Sequence, residues 1–200
     1  MAITTLAELR LAIGSRLKRA DAAPSIPDYI RGAEDLFNRE LRFREMEQRS
    51  TASLTSEYLA VPTDFLQVRN VQLNTSPKRA LSFVTPEYMD IRWGGRTGLP
   101  QQFTIINGSF QFGPAPDGTY TVEIDYYKEL TPLAADDDTN WLLDRHPMLY
   151  LYGALAMAGD DAGDARGAQW AQLLAQHMES AKRADTRGRW SGSVLQMKVA

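Results

Sequence analysis

Residues 139–156 read TNWLLDRHPMLYLYGALA. Pro147 suits the first turn of a helix, where its missing N–H costs no hydrogen bond. Met148, Leu149, Tyr150, Leu151, Tyr152, Ala154, Leu155, Ala156 and Met157 follow, and no charge appears before Asp160. A helix that is apolar on all sides is enclosed by protein, so this one belongs to a deep core or to a subunit interface. The stretch predicts an open turn, a proline start and a buried helix ending around Gly159.

Helical signals flank this stretch at both ends of the chain. Asp160 to Gly167 is a small-residue turn. A last helix from about Ala165 carries Trp170, Leu173, Leu174, His177, Met178 and Ala181. At the start, Thr5 and Glu8 form a capping-box pattern. Leu6, Leu9, Ile13 and Leu17 then recur at helical spacing. After a break at Asp21 to Pro24, a second helix is predicted from about Ser25 to Arg49. Ile30, Ala33, Phe37 and Leu41 line its apolar face. Its far end, NRELRFREMEQR, interleaves both signs, which suits a solvated face or a charged seam between copies.

Between Ser50 and Leu130 the pattern turns to strands and turns. Asn107-Gly108, between Phe103–Ile106 and Ser109–Phe112, is a strong hairpin signal. Tyr120, Val122, Ile124 and Tyr126 alternate with Thr121, Glu123, Asp125 and Tyr127, as in a strand with one buried face. Thr85-Pro86-Glu87 opens a short helix ending before Gly94-Gly95. The predicted class is α+β. A bundle of about four helices (residues 1–49 and 131–183) receives a small antiparallel β subdomain (residues 50–130). An extended C-terminal arm (residues 184–200) follows, because Gly188, Gly192 and Ser193 argue against a packed helix there. From Lys182 to Ala200 five basic residues face one acid, Asp185, a local charge of +4.

Composition narrows the function classes. Apolar residues make 44% and charged residues 24% of 200, an ordinary globular balance. A net charge of −3 gives no global basic field for wrapping nucleic acid. With no cysteine there are no disulfides, thiol nucleophiles or cysteine-bound metals. No apolar run reaches the roughly 18 residues that a membrane span needs, and MAITTLAELRLAIGSRLKRA lacks the layout of a signal peptide.

Candidate chemistry is sparse. His146 and His177 stand in different elements at no metal-ligand spacing. Asp136 to Asp138, and Asp160, Asp161 and Asp164, do not follow the alternation of a calcium loop and read as solvated turns or helix-start charge. Gly94-Gly95-Arg96-Thr97-Gly98 is neither a phosphate loop nor a dinucleotide fingerprint. Trp93, Trp141 and Trp170 read as core. Trp190, among Arg187 and Arg189, has the composition of an interface anchor.

The order of motifs resembles the head-to-tail adaptor (connector) proteins of tailed bacteriophages. Asn-Trp-Leu-Leu at 140–143, His146-Pro147 and LYGALA at 151–156 carry the likeness. So do Asp28-Tyr29-Ile30 through Arg39-Glu40-Leu41-Arg42, LAVPTDFL at 59–66, RALSFVTPE at 79–87, and Phe110–Pro116 followed by Tyr126-Tyr127-Lys128. The likeness spans about Asp28 to Ala181. It implies a virion structural protein of the neck, present in the host cytoplasm during assembly. Such a protein forms a homo-oligomeric ring, commonly twelvefold, between the portal protein and a tail or nozzle protein, with genomic DNA passing through the lumen without specific binding. It implies no enzymatic activity, no cofactor and no membrane contact. Arg183, Arg187, Arg189, Trp190, Leu195 and Met197 are the expected contacts to portal or to a neighbouring subunit. Two other readings stay open: a phage-associated hydrolase using His146 with nearby carboxylates, and another neck component such as a tail terminator.

Overall fold

The structure is a computed structural model describing residues 3–19 and 23–190, Trp190 by its backbone alone. The chain divides into two compact units, one formed by residues 1–45 and 130–200, the other by residues 46–129.

The first unit holds five of the six α-helices among the described residues: α1 (Leu6–Leu17), α2 (Ile26–Glu40), α4 (Trp141–Arg145), α5 (Pro147–Asp161) and α6 (Gly167–Trp190). Thr5 and Glu8 form the reciprocal capping box at the start of α1. α5 is the core element, with Leu149, Tyr150, Leu151, Ala154, Leu155 and Ala158 all buried. Two glycines set its close crossings. A Cβ on Gly153 would lie 2.9 Å from Ala33 Cβ and 3.0 Å from Phe37 Cζ of α2. Gly159 meets Gly167 at the start of α6 backbone to backbone.

A buried polar chain ties the 131–139 loop to this core. Asn140 caps α4, accepting the Leu142 and Leu143 N–H groups, and donates to Thr131 O (2.8 Å) and to the Tyr150 hydroxyl (2.7 Å). That hydroxyl and the Leu133 N–H both donate to Glu34 Oε1, at 3.1 and 3.0 Å. The carbonyls of Asp136 and Asp138 take up the Ala7 and Leu6 N–H groups, each at 3.0 Å, and Arg10 pairs with the Asp136 carboxylate. The aspartate run, expected as a solvated turn, therefore also anchors the start of α1.

The second unit holds two four-stranded sheets, a two-stranded one and one α-helix among the described residues, α3 (Pro86–Trp93). The first sheet has the order β1 (Glu47–Leu54), β10 (Tyr120–Lys128), β3 (Phe65–Leu73), β4 (Arg79–Ala80) and is antiparallel throughout. The second has the order β2 (Tyr58–Ala60), β8 (Ser109–Gly113), β7 (Gln102–Ile106), β5 (Ser82–Phe83). Here β5 runs parallel to β7, as β6 (Thr97–Gly98) does to β9 (Ala115–Pro116), two exceptions to the antiparallel expectation. Leu54, Val71, Leu73, Phe103, Phe110, Phe112, Val122, Ile124 and Tyr126, drawn from both sheets, form one core. The hairpin turn at Asn107-Gly108 has φ of 46° and 68°, the left-handed pair that a two-residue turn of this kind requires.

Three expectations are corrected. There are six helices, not about four: α3 lies in the β-rich unit, and α4 is a separate short helix before Pro147. α2 ends at Glu40, nine residues short of Arg49. Leu41, Phe43 and Met46 are buried at spacings no helix face provides, and Glu47–Leu54 pairs along its whole length with β10. Sheet pairing has overridden a composition rich in helix formers. Residues 184–190, expected in an extended arm, continue α6.

Candidate assembly surfaces

The outer side of α6 carries Gln172, Gln176, Glu179, Arg183 and Arg187, recurring every three to four residues. Arg183 is held only loosely by Glu179, 3.8 Å away, with both side chains mostly in solvent. Arg187 is exposed as well. These two cations stand on the exposed side of α6.

The inner side of the same turns is committed to the fold. Asp185 accepts from the Arg44 N–H (3.2 Å), from Arg44 Nε (2.9 Å) and from Arg189 Nη2 (3.3 Å). Burial works to raise its pKa, but the Arg44 and Arg189 bonds outweigh burial and hold it below the usual carboxylate range. Arg189 Nη2 also reaches Arg42 O at 3.4 Å, so this arginine is half-buried. Gly188, read from sequence as a helix breaker, is where the Arg44 guanidinium crosses α6; a Cβ there would overlap it. Trp190's side chain, Leu195 and Met197 lie outside the described residues. The role of Arg44 in holding α6 was missed because the pair is 141 residues apart. The one available signal was a lone acid, Asp185, among basic residues.

His146 lies in a small pocket with Phe43, Arg44, Glu45, Arg145, Ala181, Ala184 and Asp185. Its ring is 6.0 Å from that of Phe43, and burial lowers its pKa. Both carboxylates of the pocket are engaged by arginines, Glu45 by Arg145 and Asp185 by Arg44. The two acids of the pocket are thus held by arginines rather than by the imidazole. His177 is used otherwise, stacked on Tyr152 with ring centroids 5.3 Å apart. No group of three or more potential metal ligands occurs among the described residues.

The outward face of the first sheet is a ladder of polar pairs. Glu123 accepts from Gln72 (2.6 Å) and Lys78 (3.0 Å) and lies 3.3 Å from Arg49. Arg49 also pairs with Asp125 at 2.6 Å, and Arg69 pairs with Glu47. The Lys78 bond leads in holding Glu123 below the ordinary carboxylate range. This face satisfies its own charges.

A family model described as SU10 adaptor protein matches residues 4–197. The chain belongs to the SU10 adaptor protein family. No curated protein matches it. The family is one of phage head-to-tail adaptors, structural proteins of the virion neck that work among portal and tail proteins. In this adaptor no helix among the described residues is long and apolar enough to cross a membrane.

Proposed function

We propose that this adaptor assembles as a homo-oligomeric ring, twelvefold by the likeness to its family, between the portal and the tail or nozzle protein. Closing that ring completes the head and creates the site for tail attachment, and DNA passes through the lumen without specific contacts. Arg183 and Arg187, with Trp190, Leu195 and Met197 beyond them, form the contact to portal or to the adjoining subunit. Arg189 supports that contact from inside by fixing Asp185.

The family match over residues 4–197 is the observation that carries this reading. The exposed cations on the last turns of α6 add to it, since arginine and tryptophan are frequent interface anchors. The experiment is a charge reversal, Arg183→Glu with Arg187→Glu, beside a truncation after Trp190. Both proteins should keep the thermal stability of the full chain, because neither change touches a buried side chain of the described fold. Attachment to portal rings should fall at least about tenfold, the equivalent of 1.4 kcal/mol. Attachment equal to that of the full chain would remove the α6 end from the contact.

A further inference from the structure

Every open sheet ends in edge strands, and the edges of this chain are not alike. β4 and β5 have two residues each and β2 three, too short to hold a further strand. β1 has eight, and all eight pair in unbroken register with β10 on one side. On its other side no strand follows among the described residues. An antiparallel strand bonds its neighbour through every second residue, so the alternate residues of β1 turn their N–H and C=O groups to the open side.

This edge also lacks a guard. Protected edges carry a proline, a lysine or a bulge. β1 has none of these: Ser50, Thr51, Ala52 and Ser53 are small and uncharged, and Arg49 is drawn across the sheet to Asp125 and Glu123. Its two faces differ. Leu54 is buried and Ala52 packs on the core, while Arg49, Thr51 and Ser53 are exposed on the side of the polar ladder. A strand that continues this sheet therefore needs apolar residues on one face and polar residues on the other. The chain carries such a segment outside the described residues. Beyond Ser191-Gly192-Ser193, the run Val194-Leu195-Gln196-Met197-Lys198-Val199 sets Leu195, Met197 and Val199 against Gln196 and Lys198 at a spacing of two. Edge and segment are different surfaces of one chain, one accepting and one donating. Such a pair joins copies head to tail and closes into a ring, whereas an edge paired with its own twin would stop at two copies. The joint is weak in free solution, because ordering the segment offsets most of what its hydrogen bonds contribute.

We infer that residues 194–199 of each copy add as a strand to the open edge of β1 on the neighbouring copy in the ring. The inference rests on the ring reading above and names the joint between copies. The chain has no cysteine, so paired substitutions bring in the only thiols it carries. Full chains bearing Gln196→Cys with Thr51→Cys, Ala52→Cys or Ser53→Cys are loaded on portal rings and oxidised with diamide. Disulfide-linked adaptor multimers should form with Thr51→Cys or Ser53→Cys, which share the polar face, and far less with Ala52→Cys on the core side. Equal yields at all three, disulfides closed within one chain, adducts to portal, or no disulfide in complete rings overturn the assignment. A second variant tests the backbone itself. Gln196→Pro leaves Leu195 and Met197 in place but removes an N–H that the ladder needs. It should keep the wild-type Tm yet need about tenfold more protein to half-load portal rings, while Gln196→Thr, a good strand former, should load as the wild type does. Wild-type loading by Gln196→Pro also overturns the assignment. If the unsubstituted chain attaches as isolated single copies or not at all, the ring reading falls and this inference with it; complete rings that fail the tests above remove this inference alone.

Discussion

Asp185 shows how one carboxylate can decide the course of a helix. Its bonds to Arg44 and Arg189 bring the last turns of α6 against the fold, and Gly188 leaves room for the guanidinium. Asp185→Asn should destabilise the protein by about 1–2 kcal/mol in urea unfolding at neutral pH, since the pair is charge-assisted but Arg44 is partly in solvent. Because the folded state holds this carboxyl below its ordinary 3.8, its contribution is present above that value and is lost as pH falls through the lowered one. Wild-type and variant stabilities should converge in acid; a constant gap would contradict the ion-pair assignment. Glu34 has the opposite sign. Burial raises it, more than the Leu133 and Tyr150 hydrogen bonds lower it. Its stabilising contribution is whole below 4.5 and declines as pH rises through the raised value. Glu34→Gln should flatten the decline in urea midpoint from pH 4.5 upward; an unchanged pH profile would show that Glu34 does not titrate there.

Among the elements, α5 is the one whose failure would take the fold with it. Leu151 is fully buried, and Leu151→Asp should cost several kcal/mol by leaving an unpaired charge among apolar neighbours. Gly153→Val tests the α2 crossing more gently. Its side chain would press on Ala33 and Phe37 and should lower stability by about 1–3 kcal/mol, as overpacking does. An unchanged Tm in either case would mean that α5 is not packed as described. This helix could be read from the chain because its apolar run is unbroken. The α1 capping box, the Asn107-Gly108 turn and the alternation of β10 were equally legible, for each is a local pattern. The end of α2 was not: whether Glu47–Leu54 is helix or strand depends on β10, where Glu47 pairs with Tyr127 and Leu54 with Tyr120, far along the chain. The end of α6 was hidden for the same reason. Local propensity saw Gly188 as a break, while the arginine that needs the glycine lies at position 44. Of the candidate contacts, Arg183 and Arg187 were expected in or beside an extended arm and stand instead on the exposed side of α6, while the inward use of Arg189 depends on Asp185 and Arg42.

At the scale of the whole molecule, the adaptor has surfaces of different kinds. The first sheet's outer face is self-paired, its edge along β1 is open among the described residues, and the last turns of α6 are basic. With a net charge of −3 and a joint between copies as short as residues 194–199, free subunits should not close into rings at micromolar concentration. A stable ring of purified protein without portal would count against this. The most direct measurement is the mass of complexes formed when the full chain is titrated onto purified portal rings, read by analytical ultracentrifugation. The account predicts a cooperative step from bare portal to portal bearing a complete ring, with free adaptor remaining at the mass of one chain. A gradual, non-cooperative rise that stops at one or two copies per portal, or no binding, would contradict it.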